Sequence, residues 1–249
     1  MKLLSLLALS VTLATARAAD WQSVRYFNGY ANYTPFPAPS TSGSLASFAF
    51  PPASDARLFP AFLIVTQATT MNLTGSTLRA VFAVSASPEA AFKFGGQSNW
   101  NNGPTPAHCR FYFSTEPEYR HNGAGTNYWF RGAERMDLTN ALNGGALQVT
   151  LTNASGWSDG QGGTSAAAFW AAARRVKAVG LSFGGGSFYD IGVAMYQGTA
   201  QFHLTSFDCN PQFRVEIVGG FIGNNYGVET STDLVTWTTN QTPNPGGFA

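Results

Sequence analysis

Charge is scarce in this chain. Only 11% of its residues are Asp, Glu, Lys or Arg, and 14 basic residues stand against 13 acidic ones. A near-neutral chain offers no electrostatic attraction for nucleic acid or anionic lipid, which excludes partners recognised mainly by their phosphates. Cysteine is scarce too. Cys109 and Cys209 are the only two, and no C-x-x-C, haem or zinc spacing occurs. The three histidines, His108, His121 and His203, are scattered without metal-ligand spacing. Long apolar runs are lacking as well. The one at the N-terminus, Leu3 to Val11, is too short and too rich in Ala, Ser and Thr for a membrane span of about 20 residues. No membrane insertion is expected.

That run has another use. Met1-Lys2 supplies a positive charge, the apolar stretch follows, and Ala16-Arg17-Ala18 puts small residues where a signal peptidase inspects them. Residues 1–18 read as a cleavable signal peptide, and the product as secreted or displayed at the cell surface. Lys2 and Arg17 leave with the signal, so the mature chain carries 12 basic and 13 acidic residues, net −1. Export makes a disulfide between Cys109 and Cys209 permissible. It would close a loop spanning 100 residues, stabilising by up to about 4.7 kcal/mol in the chain-entropy model. Two separate buried thiols are the alternative.

What the chain has in quantity is aromatic residues, 14% of the total with 20 Phe, and they fall in short alternating runs. In Leu78-Arg79-Ala80-Val81-Phe82-Ala83-Val84 the even positions form an apolar face and Arg79 stands opposite, the pattern of a strand with one side buried. Similar runs occur at Trp21–Phe27, Leu45–Phe50, Ala61–Gln67, Ala91–Phe94, Cys109–Ser114, Tyr128–Arg131, Leu147–Thr152, Val176–Phe183 and Thr199–Phe207. Clusters of Gly, Pro, Asn and Ser separate them, such as Thr34 to Ser40 and Asn99 to Pro106. Many short strands with this punctuation predict an all-β sandwich. One helix interrupts them: Thr164 or Ser165 caps it, and Phe169, Ala172, Ala173 and Val176 recur at helical spacing. Arg174, Arg175 and Lys177 end it, where cations complement the helix dipole. Phe207-Asp208-Cys209-Asn210-Pro211 breaks the pattern, so a sandwich over residues 19–208 and a partial β-rich module over 209–249 are expected.

Val179-Gly180-Leu181-Ser182-Phe183-Gly184-Gly185-Gly186-Ser187-Phe188, followed by Gly192-Val193 and Gly198 to Leu204, resembles the closing strands of galactose-binding-like jelly-roll modules, a type common among carbohydrate-binding modules of secreted bacterial proteins. Trp157, the helix and this block occur in the order such modules use. The resemblance spans roughly residues 20 to 208 and is most specific in the last fifty. It implies a jelly-roll β-sandwich with one short helix and extracellular work. Ser231-Thr232-Asp233-Leu234 and Trp237 are similar to a short β module repeated in large bacterial surface proteins. Fold likeness alone assigns no ligand, since such sandwiches host binding, structural and catalytic roles.

Function must come from side chains. Gly180-Leu181-Ser182-Phe183-Gly184 matches G-x-S-x-G, and Asp190 and His203 follow in hydrolase order. That chemistry needs a strand, a sharp turn and a helix, whereas more glycines and another strand follow here. Glu116 and Glu118 flank Pro117 in a loop-like stretch, which reads as a solvated turn rather than a catalytic pair. Asp159-Gly160-Gln161-Gly162-Gly163 has backbone supple enough to wrap a structural calcium, or it is an ordinary Gly-rich loop. No other cofactor is called for.

Two tryptophans carry more. Trp100 lies among Asn99, Asn101 and Asn102, and Trp157 lies among Ser155, Gly156, Ser158 and Asp159. An indole with no apolar stripe to join either faces solvent or folds back to cap the sandwich. An exposed indole flanked by amides and a carboxylate suits sugar rings, whose C–H faces stack while their hydroxyls find hydrogen-bond partners. The expected ligand contacts are therefore Trp100, Asn99, Asn101 and Asn102, with Trp157 and Asp159 in second place. The sequence reads as a secreted, non-catalytic module for a polysaccharide or cell-surface glycan. A structural or adhesive spacer of a surface protein is the rival reading, and a polysaccharide-degrading enzyme stands third.

Overall fold

A computed structural model describes residues 21–25, 34–54, 59–95, 104–116, 127–185, 191–210, 225–230 and 238–243. The chain divides into two compact units, Met1–Gln212 and Phe213–Ala249. The first is an all-β jelly-roll sandwich of antiparallel strands with, among the described residues, a single α-helix. In chain order its strands are β1 (Trp21–Arg25), β2 (Thr34–Pro37), β3 (Ala46–Ala49), β4 (Pro60–Met71), β5 (Thr77–Ala86), β6 (Ala91–Phe94), β7 (His108–Ser114), β8 (Tyr128–Asp137), β9 (Gly145–Thr150), β10 (Trp157–Asp159), β11 (Val176–Gly184), β12 (Val193–Gln197) and β13 (Ala200–Asn210). A 3-10 helix, Leu138–Asn143, precedes β9, and α1 (Ala166–Ala173) precedes β11. The second unit contributes a hairpin of β14 (Asn225–Thr230) and β15 (Thr238–Pro243), in which Asn225 faces Pro243 and Thr230 faces Thr238.

One layer of the sandwich is a seven-stranded sheet ordered β10-β8-β7-β11-β4-β1-β2, the other a four-stranded sheet ordered β3-β13-β5-β9. A short ribbon pairs β6 with β12. Alternation decides what lies between the layers. Leu63 and Val65 of β4, Phe111 and Phe113 of β7, Trp129 of β8 and Leu181 and Phe183 of β11 meet Leu78, Ala80, Phe82 and Val84 of β5 and Phe202 and Leu204 of β13 in one core. Their neighbours Phe62, Ile64, Tyr112, Phe130 and Ala178 form a separate buried cluster, which by the same alternation belongs to the opposite face of the larger sheet. Phe48, Phe183 and Phe202 pack edge-on and stacked with centroids 5.0–5.4 Å apart, the offset geometry aromatic quadrupoles favour.

Two of the register shifts move strand ends away from the sequence pattern. The register of β13 against β5 shifts between Leu204 and Ser206, so Phe202 and Leu204 face the core before the shift and Phe207 and Cys209 pack on it afterwards. An extra residue in one strand exchanges its two faces. This carries β13 through Asp208 to Asn210, opposite Thr77, so the boundary expected after residue 208 falls inside a strand. In β8 the shift is larger: Tyr112 faces Phe130 while Arg110 faces Arg135, so that four residues of β8, Arg131 to Glu134, are set against one of β7, Phe111. Strand β8 thus runs six residues past its expected end at Arg131.

The seven-stranded sheet ends in β10, three residues long, and in β2. The N–H of Ala38 points inward and donates to Trp21 O at 2.9 Å. By alternation Pro35 and Pro37 occupy the positions whose N–H would point outward, and proline has none. Ser165 caps α1, its hydroxyl accepting from Ala168 N–H at 3.3 Å. Arg174 and Arg175 at the other end are exposed.

The disulfide is not formed. Cys109 and Cys209 are free thiols, the first buried and the second partly so. Cys109 lies in β7 of the larger sheet, between Phe183 and Met136, and Cys209 in β13 of the smaller one, beside Leu78. The two thiols thus sit on different layers of the sandwich, each held in its own strand pairing. The signal peptide, residues 1–18, lies outside the described residues.

Candidate functional site

Asn99, Trp100, Asn101 and Asn102 lie outside the described residues, but the base from which their segment springs is described. Thr105 ties its two ends together. The Thr105 N–H donates to Phe92 O and the Phe94 N–H donates to Thr105 Oγ1, both at 3.0 Å. One residue further on, Gly95 N–H donates to Gly192 O at 2.7 Å. Space is tight there, for a Cβ on Gly95 would stand 2.7 Å from Ile191 O. The segment carrying Trp100 therefore starts and ends on the rim made by β6 and the approach to β12.

Trp157 belongs to the core, and its expected place as an exposed stacking ring is corrected. The residue is 1% exposed. Its ring lies 5.2 Å from Phe113 and 5.5 Å from Phe169, which in turn meets Trp129 at 5.4 Å. Arg131 pairs with Glu134 and donates to Ser155 O, its guanidinium carbon 5.9 Å from the Trp157 ring. The polar flanks that marked Trp157 in the sequence are two turns of chain on either side of a three-residue edge strand. A shallow cleft of about 630 Å³ opens beside it, lined by Gly132, Ala133, Ser155, Gly156 and Ser158 among others. Trp157 borders this cleft too, but its ring is packed against Phe113 and Phe169, and the other lining side chains are small.

Asp159 is likewise occupied by the fold. Its Oδ1 accepts from Gln161 N–H at 2.9 Å and Gly163 N–H at 2.7 Å, and its N–H donates to Gly163 O at 2.8 Å. The residue is 6% exposed. The carboxylate closes the Gly-rich loop on itself, and a Cβ on Gly163 would stand 2.6 Å from Oδ2. Tyr128 packs on Gly160 so closely that a Cβ there would overlap its ring. Among the described residues no three His, Cys, Asp or Glu gather where a metal could be held.

The G-x-S-x-G stretch runs straight through β11. Ser182 is buried, and its Oγ accepts from Arg110 Nε at 3.1 Å. His203 lies in the other sheet between the inward Phe202 and Leu204, so it points off that sheet's outer face, with Nε2 3.0 Å from Ser85 Oγ. Ser182 and His203 thus face away from each other on opposite layers. Asp190 and Glu118 lie outside the described residues. Gly180 earns its place by packing, since a Cβ would stand 2.0 Å from Leu63 O.

Electrostatics single out two places. Burial lowers the His108 pKa, assisted by the Arg135 and Arg110 guanidiniums and opposed by Asp137. On the β5–β6 turn, the Ser87 hydroxyl holds the exposed Glu89 carboxyl below the usual carboxylate range. The same hydroxyl accepts from Thr199 N–H at 3.0 Å, joining that turn to the β12–β13 turn. Tyr196 stands on this rim and is 48% exposed. Sequence reading missed it, because Val193-Ala194-Met195 reads as core and Tyr196 follows that apolar run directly. The signal was Tyr196-Gln197-Gly198, an aromatic and an amide directly before a glycine.

No family profile matches the sequence, and no curated protein matches it. Among solved structures, one described as "xylan-binding module CBM15" aligns with 79% of this chain and 95% of its own, at 10% identity and a TM-score of 0.38. That likeness is too distant to assign a ligand or a site residue.

Proposed function

We propose that the chain is a secreted, non-catalytic module that binds a polysaccharide or cell-surface glycan, with Trp100 as the stacking ring and Asn99, Asn101 and Asn102 as hydroxyl partners. The observation that carries this reading is the base of that segment. Thr105 pins both ends to the β6 rim, so a polar stretch with one large aromatic is held on a rigid support at the edge of the sandwich. Binding sites are often loops positioned in this way. The signal-like N-terminus supports work outside the cell, and the net charge of −1 after its removal favours neutral ligands over nucleic acid.

The test is retention on a panel of insoluble polysaccharides. Aromatic stacking on nucleobases is worth about 1–3 kcal/mol per ring, a scale that carries over to sugar rings. Trp100→Ala should weaken retention about tenfold or more and leave the melting temperature unchanged. Binding should depend weakly on salt, because few charges take part.

The rival reading, a structural or adhesive spacer, is favoured by one observation. Trp157 and Asp159 are spent on the fold, and among the described residues only Leu142 and Tyr196 are exposed large hydrophobics. If no polysaccharide in the panel retains the wild type, the spacer reading replaces the binding one. A polysaccharide-degrading role finds no support in Ser182 and His203, which point apart.

A further inference from the structure

The ribbon of β6 and β12 carries an irregularity. Met195 faces Phe92 and Gln197 faces Ala91, so Tyr196 is an extra residue with no partner across the ribbon. Val193 and Met195 are buried in the core, and Ala194 packs with Phe59 behind it. Tyr196 is the one large hydrophobic side chain of this strand that stands out into solvent. A bulge re-aims one side chain at the expense of a ladder hydrogen bond, and such features cluster at binding sites.

The surroundings of Tyr196 are fixed and polar. Gln197 beside it is exposed. Gly198 adopts φ +69°, and a Cβ there would stand 2.5 Å from Ser87 Oγ and 3.0 Å from Ala90 Cα, so the β12–β13 turn lies directly on the β5–β6 turn. Two further bonds lock the turns: Ser87 N–H donates to Thr199 O at 2.9 Å, and Thr199 N–H donates to Ser87 Oγ at 3.0 Å. The hydroxyl of Ser87 then donates to the carboxylate of Glu89, which is fully exposed and anionic at neutral pH. One ring, one amide and one pre-positioned carboxylate are thereby gathered on a single rim.

We propose that Tyr196, Gln197 and Glu89 form a sugar-binding subsite, in which one pyranose face stacks on the Tyr196 ring and its hydroxyls donate to Glu89 and exchange hydrogen bonds with Gln197. The inference rests on the polysaccharide reading and extends it. Strand β6 runs from this subsite to Gly95, where the Trp100 segment begins, a distance of about 13 Å at 3.3 Å per residue.

The test uses the full mature chain with Tyr196→Ala, Tyr196→Phe, Glu89→Gln and Trp100→Ala, each measured by depletion on the polysaccharide that best retains the wild type. Tyr196→Ala should weaken binding about tenfold, Glu89→Gln several-fold, and Tyr196→Phe hardly at all, since it keeps the ring. Glu89 is fully exposed, so its substitution reports on the ligand even if Tyr196→Ala were to disturb folding. Wild-type retention by Glu89→Gln together with folded Tyr196→Ala overturns the subsite. If Trp100→Ala is at the same time defective, polysaccharide binding stands without it. Failure of the wild type on every polysaccharide removes both.

Discussion

The guanidinium carbon of Arg110 lies 4.7 Å from the centre of the Phe130 ring, and its Nε–H is donated to Ser182. Arg110 is 1% exposed, so this hydroxyl serves a charge held away from water. Ser182→Ala should therefore cost stability, about 1–3 kcal/mol for leaving a buried donor without its acceptor. Urea denaturation reads the loss. Covalent labelling of Ser182 by a fluorophosphonate would contradict the assignment, because a strand-bound serine engaged by arginine is not a nucleophile.

Trp157 and Trp100 should behave in opposite ways. Truncating Trp157 opens a cavity among Phe113 and Phe169, and a buried tryptophan cut to alanine typically costs about 3–5 kcal/mol. Trp157→Ala should lower the unfolding midpoint sharply, while the protein that remains folded keeps its affinity for polysaccharide. A variant of normal stability and lost binding would return Trp157 to the ligand site.

The thiols give a pH prediction. Burial pushes Cys109 well up and Cys209 to about 12, from an ordinary value of 9.0. Both groups keep their protons longer in the folded state than in the unfolded one. Their effect on stability is therefore constant below pH 9 and turns unfavourable as the pH rises from there towards 12, because the unfolded chain releases protons first. Replacing Cys209 by Ala should flatten the alkaline arm of the stability curve. Thiol titration should find two reactive groups after denaturation without reductant and almost none in the native protein.

His108 contributes on the acid side. Its pKa is lowered in the fold, so the unfolded chain takes up the proton first as the pH drops through about 6.5. Stability contributed by the neutral ring is full above that value and is lost as the pH falls towards the folded pKa. His108→Asn should remove this component. A midpoint that declines identically in both proteins between pH 7 and 5 would exclude His108 as its source.

The N-terminus is checked most directly. Intact mass of secreted material should correspond to a chain beginning at Ala19. Retention of Met1 would remove the signal-peptide assignment.

Where alternation is unbroken, the chain announces its own strands. The run Leu78–Val84 lies inside β5, where buried and more exposed residues alternate because one-sided burial imposes period two on the side chains, and Ala91–Phe94 coincides with β6 to the residue. The pattern failed where the backbone spends extra residues. The insertion from Arg131 to Glu134 hid the second half of β8, and the shift after Leu204 made the end of β13 look like a boundary. Pro35 and Pro37 made β2 look like punctuation. The candidate site was harder to read for a different reason. Trp157 is polar-flanked along the chain, but its packing partners Phe113, Trp129 and Phe169 arrive from three other elements, and exposure depends on those distant residues. Tyr196 shows the converse, an apolar neighbourhood in sequence that a single bulge turns outward.

The outer margin of β2 has a consequence for life at high local density. Unpaired strand edges are templates on which a neighbouring molecule can add its own strand, the first step towards aggregation. Proline at positions 35 and 37 leaves that margin without outward donors, and at the opposite margin β10 is too short to seed a pairing. Even at high local concentration a second copy then finds no ready edge of the seven-stranded sheet to extend.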